Sequence, residues 1–375
     1  MCIRDSAMAE AFKNLLNAAG VKRIARDLEA AWPAFPSKRF ISQATRGLEA
    51  LELKARSRHI ARALGACLPR DVTRAMELVI ASLGPPLTAT EGYGNEVMRL
   101  MPLSTWLHEV GPQDVETALR ANRELTRRFT AEFSIRSLLL AAPARTLEAL
   151  SRWVTDRDPH VRRLVSEGSR PRLPWGERLP AIQADPSLTL PLLESLKDDE
   201  SEYVRRSVAN HLNDLSKDHP RVVLETARRW LVKASPERRR LVEHGLRSLV
   251  KAGDPEALAL LGASGEALAI SAAVTPRRVT VGQSITVEAT VKNEGQALTH
   301  VVVEAVVHFK RPKGTSTRKF RLARLDLDPG EARTVSRKFR LVHRSVRRLH
   351  AGRHRVDVQA NGRTVKAGTF DLKLT

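Results

Sequence analysis

Residues 198–220 read DDESEYVRRSVANHLNDLSKDHP, and the architecture of the chain can be worked out from this stretch. Acidic residues open it, apolar residues recur at helical spacing, and His219-Pro220 closes it, so it predicts one amphipathic helix. Val204, Val208, Leu212 and Leu215 fall on one side, and Glu202, Arg206, Asn210, Asn213 and Lys217 on the other, with Asp214 at its edge. A solvated face would carry interchangeable Glu and Lys. Two Asn, an Asp, an Arg and a Lys suit a surface that grips something anionic and polar. This helix is read as the floor of a working site.

Its neighbours repeat it. Val161-Arg162-Arg163 and Val204-Arg205-Arg206 lie 43 residues apart, each after an acidic stretch, and a third basic helix begins near Pro236 about 34 residues on. Asp158-Pro159, Ser235-Pro236 and Asp254-Pro255 have the form of an N-cap followed by Pro at the first helical position. Paired helices at this period are the signature of a helical-repeat solenoid. The longer step is explained by an insertion from Arg170 to Pro191, rich in Pro and containing Trp175. Loops inserted on one face of such arrays commonly belong to the binding face.

Helical pattern runs almost unbroken from Ala9 to about Gly265. AEAFKNLLNAAG is read as a helix ending at Gly20, VKRIARDLEAAW runs into Pro33, and residues 37–68 suit two helices. Gly84-Pro85-Pro86 and Gly92-Tyr93-Gly94 mark a loop, with helical spacing resuming at Val97. The opening MCIRDSA does not blend with the helical pattern that begins at Met8, so the domain is taken to start at residue 8.

Near Gly265 the texture changes. ALAISAAVTP, SITVEATVKNEG, THVVVEAVVHFKRP and HRVDVQANGRTVKAG alternate with period two, and Asn361-Gly362 is a hairpin cue. These strands predict a β-sandwich over 271–375 after a helical domain over 8–265: an all-α repeat solenoid followed by an all-β, immunoglobulin-like sandwich, without the Cys–Trp–Cys signature of antibody domains.

The net charge of +21 predicts a polyanionic partner. Residues 271–375 hold 22 Lys and Arg against 8 Asp and Glu, which leaves +14 on the sandwich and +7 on the helices. Much of that lies between Arg333 and Arg355, where cations packed this densely repel unless phosphate compensates them. No apolar run approaches a membrane span and no signal peptide is evident, so no membrane partner is expected. Cys2 and Cys67 are the two cysteines, which argues against disulfides or a cysteine zinc site and for a reducing cytoplasm.

There is no GxGxxG, P-loop, HExxH or CxxC, and neither a cofactor nor a metal is expected. What remains is a set of acids on helices: Glu132 in TAEFSIR (130–136), Glu167 in HVRRLVSEGSRPRLPW (160–175) and Asp214 in the opening stretch. Arg163, Glu167 and Arg170 share a face at i, i+4 and i+7, matching the polar stripe of the next repeat. Each acid also has a plain alternative as a surface ion pair, Glu132 with Arg136, Glu167 with Arg163 and Asp214 with Lys217. Trp153 and Trp230 read as core, Trp175 as either core plug or site aromatic, and His211 as a buried packing histidine.

These three motifs resemble the HEAT-like-repeat DNA glycosylases of the AlkC/AlkD superfamily, the AlkC branch with a C-terminal immunoglobulin-like domain in particular. The resemblance covers most of the chain. Ser134 and Ser137 stand where the family carries Ala and Pro, and residues 8–90 carry little family signal. It implies excision of N-alkylated bases, chiefly 3-methylcytosine and 3-methyladenine, from double-stranded DNA without turning the nucleotide into a deep pocket. Asp214, Glu167, Glu132 and Trp175 would be the catalytic residues. Arg163, Arg170, Arg172, Arg206, Asn210, Asn213 and Lys217 would hold the backbone. A monomer at the bacterial nucleoid is the expected form. The competing expectation is a non-catalytic helical-repeat scaffold for nucleic acid, in which these acids would be scattered ion pairs.

Overall fold

The computed structural model describes residues 12–91, 95–262, 267–296, 298–343 and 348–374. The segment before the expected start at residue 8 and the Gly92-Tyr93-Gly94 loop lie outside them. The described chain is helical to residue 260: α1 Ala18–Ala31, α2 Ser37–Thr45, α3 Leu53–Gly65, α4 Val72–Ala81, α5 Met101–Val110, α6 Val115–Thr126, α7 Ile135–Ala141, α8 Pro143–Trp153, α9 Pro159–Gly168, α10 Pro180–Ala184, α11 Leu190–Leu196, α12 Glu202–Leu215, α13 Pro220–Leu231, α14 Pro236–Ala252 and α15 Pro255–Leu260. Eight strands come after: β1 Leu268–Thr275, β2 Arg278–Thr280, β3 Ser284–Asn293, β4 Thr299–Lys310, β5 Thr315–Leu327, β6 Ala332–Arg340, β7 Gly352–Ala360 and β8 Arg363–Lys373. This is the expected fold class, helical repeats and then a sandwich. The chain divides into two compact units, the first holding the described residues up to Pro220 with Lys233–Gly245, the second Arg221–Val232 and the described residues from Leu246.

In the first unit, α12 forms where its pattern predicts. Val204, Val208, Leu212 and Leu215 are fully buried, each worth about 1.5–3 kcal/mol of transfer from water. Against α12 packs α9. Its N-cap Asp158 accepts from the His160 amide at 2.9 Å with Pro159 at the first position. The repeated Val-Arg-Arg triplets divide their labour. Val161 and Val204 enter the core. Arg162 grips Asp199 at 2.7 and 3.0 Å, and Arg205 donates to the backbone of Asp199 and Glu200, so the first Arg of each triplet staples the turn between repeats. The helix end at Gly168 comes so close to α7 that an added Cβ would meet Ile135 Cγ2 at 2.6 Å.

At Gly20 the structure differs from the sequence reading. That glycine lies in the first turn of a helix instead of ending one: Asn17 is the N-cap and its Oδ1 accepts from the Gly20 amide at 3.0 Å. An Asn three residues ahead of an apolar period outweighs the glycine as a boundary signal.

The second unit contains the sandwich, with sheets ordered β1-β3-β6 and β2-β8-β7-β4-β5. Asn361 and Gly362 both have positive φ, 44° and 84°, and turn β7 into β8 as the dipeptide predicts. Strands β5 and β6 are absent from the sequence reading. Both are edge strands rich in Arg and Lys, where charge obscures the alternation that reveals interior strands.

Candidate active site

Glu132 lies in the turn before α7, Glu167 near the end of α9 and Asp214 near the end of α12. The structure joins them in one ladder of alternating charge. Arg163 Nη2 donates to Glu132 Oε2 at 2.8 Å and stands 3.7 Å from Glu167 Oε1. Arg170 Nη1 donates to Glu167 Oε1 at 2.6 Å, and its Nε to Asp214 Oδ2 at 2.8 Å. Lys217 Nζ closes the row on Asp214 Oδ1 at 2.8 Å. Three carboxylates thus alternate with three cations across three consecutive repeats. The acids are not scattered pairs, and Glu132 is not the partner of Arg136.

Burial raises the stakes of this arrangement. Asp214 is 1% exposed, Glu167 6% and Arg170 7%, and an unpaired charge at such depth would cost several kcal/mol. Burial alone would push the Glu167 carboxyl up, but the Arg163 and Arg170 guanidinium groups outweigh it and hold that carboxyl below the usual range. Ser207 Oγ adds a hydrogen bond to Glu167 Oε2 at 2.7 Å, and Ser166 Oγ donates to Ser207 Oγ at 2.7 Å. Arg163 is desolvated too, yet the carboxylates of Glu132 and Glu167 raise its pKa, and its guanidinium lies 5.1 Å over the Tyr203 ring. Arg170 is likewise raised, Glu167 and Asp214 overcoming its burial. The outcome is a set of acids whose orientation is fixed before any ligand arrives.

Lys217 apart, the remaining polar candidates make contacts outside the ladder. Lys217 has 42% of its side chain exposed. Arg172 forks onto Asp218 at 2.9 and 2.5 Å. Arg206 is exposed, 2.7 Å from Glu202 and 3.7 Å from Glu91. Asn210 Oδ1 accepts from His244 Nε2 at 3.1 Å. Asn213, expected on the polar face, is 3% exposed, because the buried arc of α12 extends past the apolar stripe near its C-terminal end. Arg163 and Arg170 stand inside the ladder, their charge directed at carboxylates.

Trp175 is not a core plug. It is 52% exposed and takes a left-handed backbone, φ 67°. His211 is fully buried as expected, Nδ1 at 2.9 Å from Ser166 O and Nε2 at 3.3 Å from Thr189 Oγ1, and burial pushes it down to about 4. Trp230 is buried and Trp153 half-buried against the core. Sequence reasoning missed Ser166, Ser207 and Tyr203, and gave Arg136 only as an ion-pair partner of Glu132. The two serines sit 41 residues apart, close to the repeat period, and that spacing was the available signal. Among the described residues no group of three His, Cys, Asp or Glu could hold a metal ion, and no helix is long and apolar enough to cross a membrane.

Residues 269–374 match the family model described as the C-terminal Ig-like domain of the uncharacterised protein YhaZ. The chain is 31% identical over 366 residues to the uncharacterized protein YhaZ of Bacillus subtilis (strain 168), covering 96% of this chain and 99% of that protein. It is also similar to a solved structure, Pseudomonas fluorescens alkylpurine DNA glycosylase AlkC bound to DNA containing an abasic site analog: 34% identity and a TM-score of 0.83, with 96% of this chain and 99% of that chain covered. The chain belongs to the AlkC family. The match to AlkC runs through both the helical repeats and the sandwich, so the ladder lies within the region this family shares.

Proposed function

We propose that this AlkC-family chain is a monofunctional DNA glycosylase that hydrolyses the N-glycosidic bond of cationic N-alkylated bases, 3-methylcytosine and 3-methyladenine, in double-stranded DNA. The observation that carries the reading is the ladder, which brings Glu132, Glu167 and Asp214 together through Arg163 and Arg170. An N3-methylated base bears a positive charge and leaves as a neutral molecule, so protonation of the leaving group contributes little. The demand lies on the sugar, which becomes an oxocarbenium-like cation as the C1′–N bond breaks. Carboxylates already oriented stabilise that charge without reorganising.

Asp214 is the residue assigned to the water. Its two oxygens each accept one bond from the ladder, from Arg170 and from Lys217, and a carboxylate oxygen retains a second lone pair. Water held there attacks C1′ and gives up its proton, leaving an abasic deoxyribose and the free base. Glu167 and Glu132 support the cation, and the exposed Trp175 offers a π face to the positive base or sugar, worth about 0.5–2 kcal/mol. Such a site reads its lesion by charge and has no need of a deep pocket. Acids repel phosphate, so the backbone is assigned to exposed Lys217 and Arg206 and half-buried Arg172 with Asn210, while Arg163 and Arg170 aim the acids.

Single-turnover base release from alkylated duplex tests this. Asp214→Asn should slow release by about 100-fold or more while DNA affinity changes by less than about twofold. Equal loss of both would remove Asp214 from the chemistry.

A further inference from the structure

Arg136 belongs to the TAEFSIR motif, yet it has no part in the ladder. It is 0% exposed, and among the described residues no carboxylate stands within ion-pair distance of it. Burial pushes its guanidinium down to about 10. Arginine in such a place must be satisfied by dipoles, and here it is satisfied by three backbone carbonyls. Nη1 donates to Gly168 O at 2.9 Å and to Arg170 O at 2.8 Å; Nε donates to Glu177 O at 2.8 Å, and Nη2 reaches the same oxygen. One planar group therefore ties the end of α9 and the following Arg170 to the loop on the far side of Trp175.

Trp175 needs such support. For a bulky non-glycine residue the left-handed backbone costs on the order of 1–3 kcal/mol and persists when surroundings over-determine it. A second bond acts on Trp175 itself: Lys54 Nζ, from exposed Lys54 on α3, donates to the Trp175 carbonyl at 2.9 Å. The next residue is fitted closely as well. A Cβ on Gly176 would meet Leu173 Cδ2 at 3.0 Å and Arg136 Nε at 3.2 Å. The indole, meanwhile, belongs to a residue that is more than half exposed.

We infer that Arg136 and Lys54 are positioning residues that hold the backbone around Trp175, and through it the direction of the indole, an inference that rests on Trp175 being the aromatic of the proposed site. The ordinary alternative is that Arg136 merely satisfies buried carbonyls and Lys54 is a solvated surface cation. Lys54 separates the two, because an exposed lysine adds nothing to the core and its removal cannot unfold the protein.

The experiment uses the full chain with Lys54→Met, Trp175→Ala, the double variant, and Arg136→Lys. Lys54→Met should slow single-turnover release about fivefold to tenfold at unchanged half-saturating DNA, with the melting midpoint shifted by less than about 2 °C. It should add nothing to Trp175→Ala, since a residue acting through another is not additive with it. Acrylamide quenching of the Trp175 emission, taken as wild type minus Trp175→Phe, should change in Lys54→Met and more so in Arg136→Lys. Additive rate losses, or quenching and rate both unchanged in Lys54→Met, would overturn the inference. If wild type released no base, the proposed function would fail, while the quenching difference would still decide whether the brace exists.

Discussion

Asp214 is a carboxylate shielded from bulk solvent, tolerated because a guanidinium and an ammonium take one oxygen each. The same reasoning applies to Glu167, shared by Arg163 and Arg170. Glu167→Gln takes one of two carboxylate partners from Arg163 and from buried Arg170 and should destabilise the protein by about 1–3 kcal/mol, read as a lower urea midpoint; an unchanged midpoint would mean the ladder is open to solvent. His211 makes a pH prediction. Its pKa falls to about 4 in the folded protein from 6.5, so between these values the unfolded chain binds the extra proton. The stability it contributes is present above pH 6.5 and lost as pH falls toward 4, roughly 2 kcal/mol between pH 7 and pH 5. His211→Gln should lose less over that interval, and an identical loss would contradict the assignment. The burial of His211 was legible from its place beside the apolar stripe. The left-handed backbone of Trp175 was not, because the groups that hold it, Lys54 and Arg136, come from 121 and 39 residues earlier in the chain.

The helices explain why the acids converge. Three acids from consecutive repeats meet because α9 packs on α12 and α7 abuts the end of α9 at a glycine. Gly168→Ala should force that junction apart and cost about 1–3 kcal/mol, visible as a depressed melting midpoint; no depression would show the junction yields freely. The repeat was legible in the two Val-Arg-Arg triplets, because the apolar period and the acidic starts both recur. What the triplets did not show is that their first arginines brace turns. Arg162 and Arg205 are chemically the same as Arg163 and Arg206, and what separates them is a 100° step around the helix. In the sandwich the interior strands and the Asn361-Gly362 turn were legible, whereas edge strands β5 and β6 present charge on both faces and lose the alternation that marks a strand.

Taken whole, the chain places +14 of its +21 on residues 271–375. Exposed Arg333, Arg337, Lys338 and Arg340 on β6 contribute to it. Replacing these four with Gln should flatten the dependence of log affinity on log salt by about 0.9 for each phosphate that is no longer neutralised; an unchanged slope would show that β6 faces something other than DNA. The activity itself is read most plainly in the products. Duplex DNA carrying 3-methylcytosine and 3-methyladenine, incubated with the full chain, should yield those free bases on chromatography and leave an unbroken strand that alkali then cleaves at the abasic site. Free base absent from the chromatogram, with the DNA still bound, would contradict the glycosylase and leave a nucleic-acid scaffold built on the same fold.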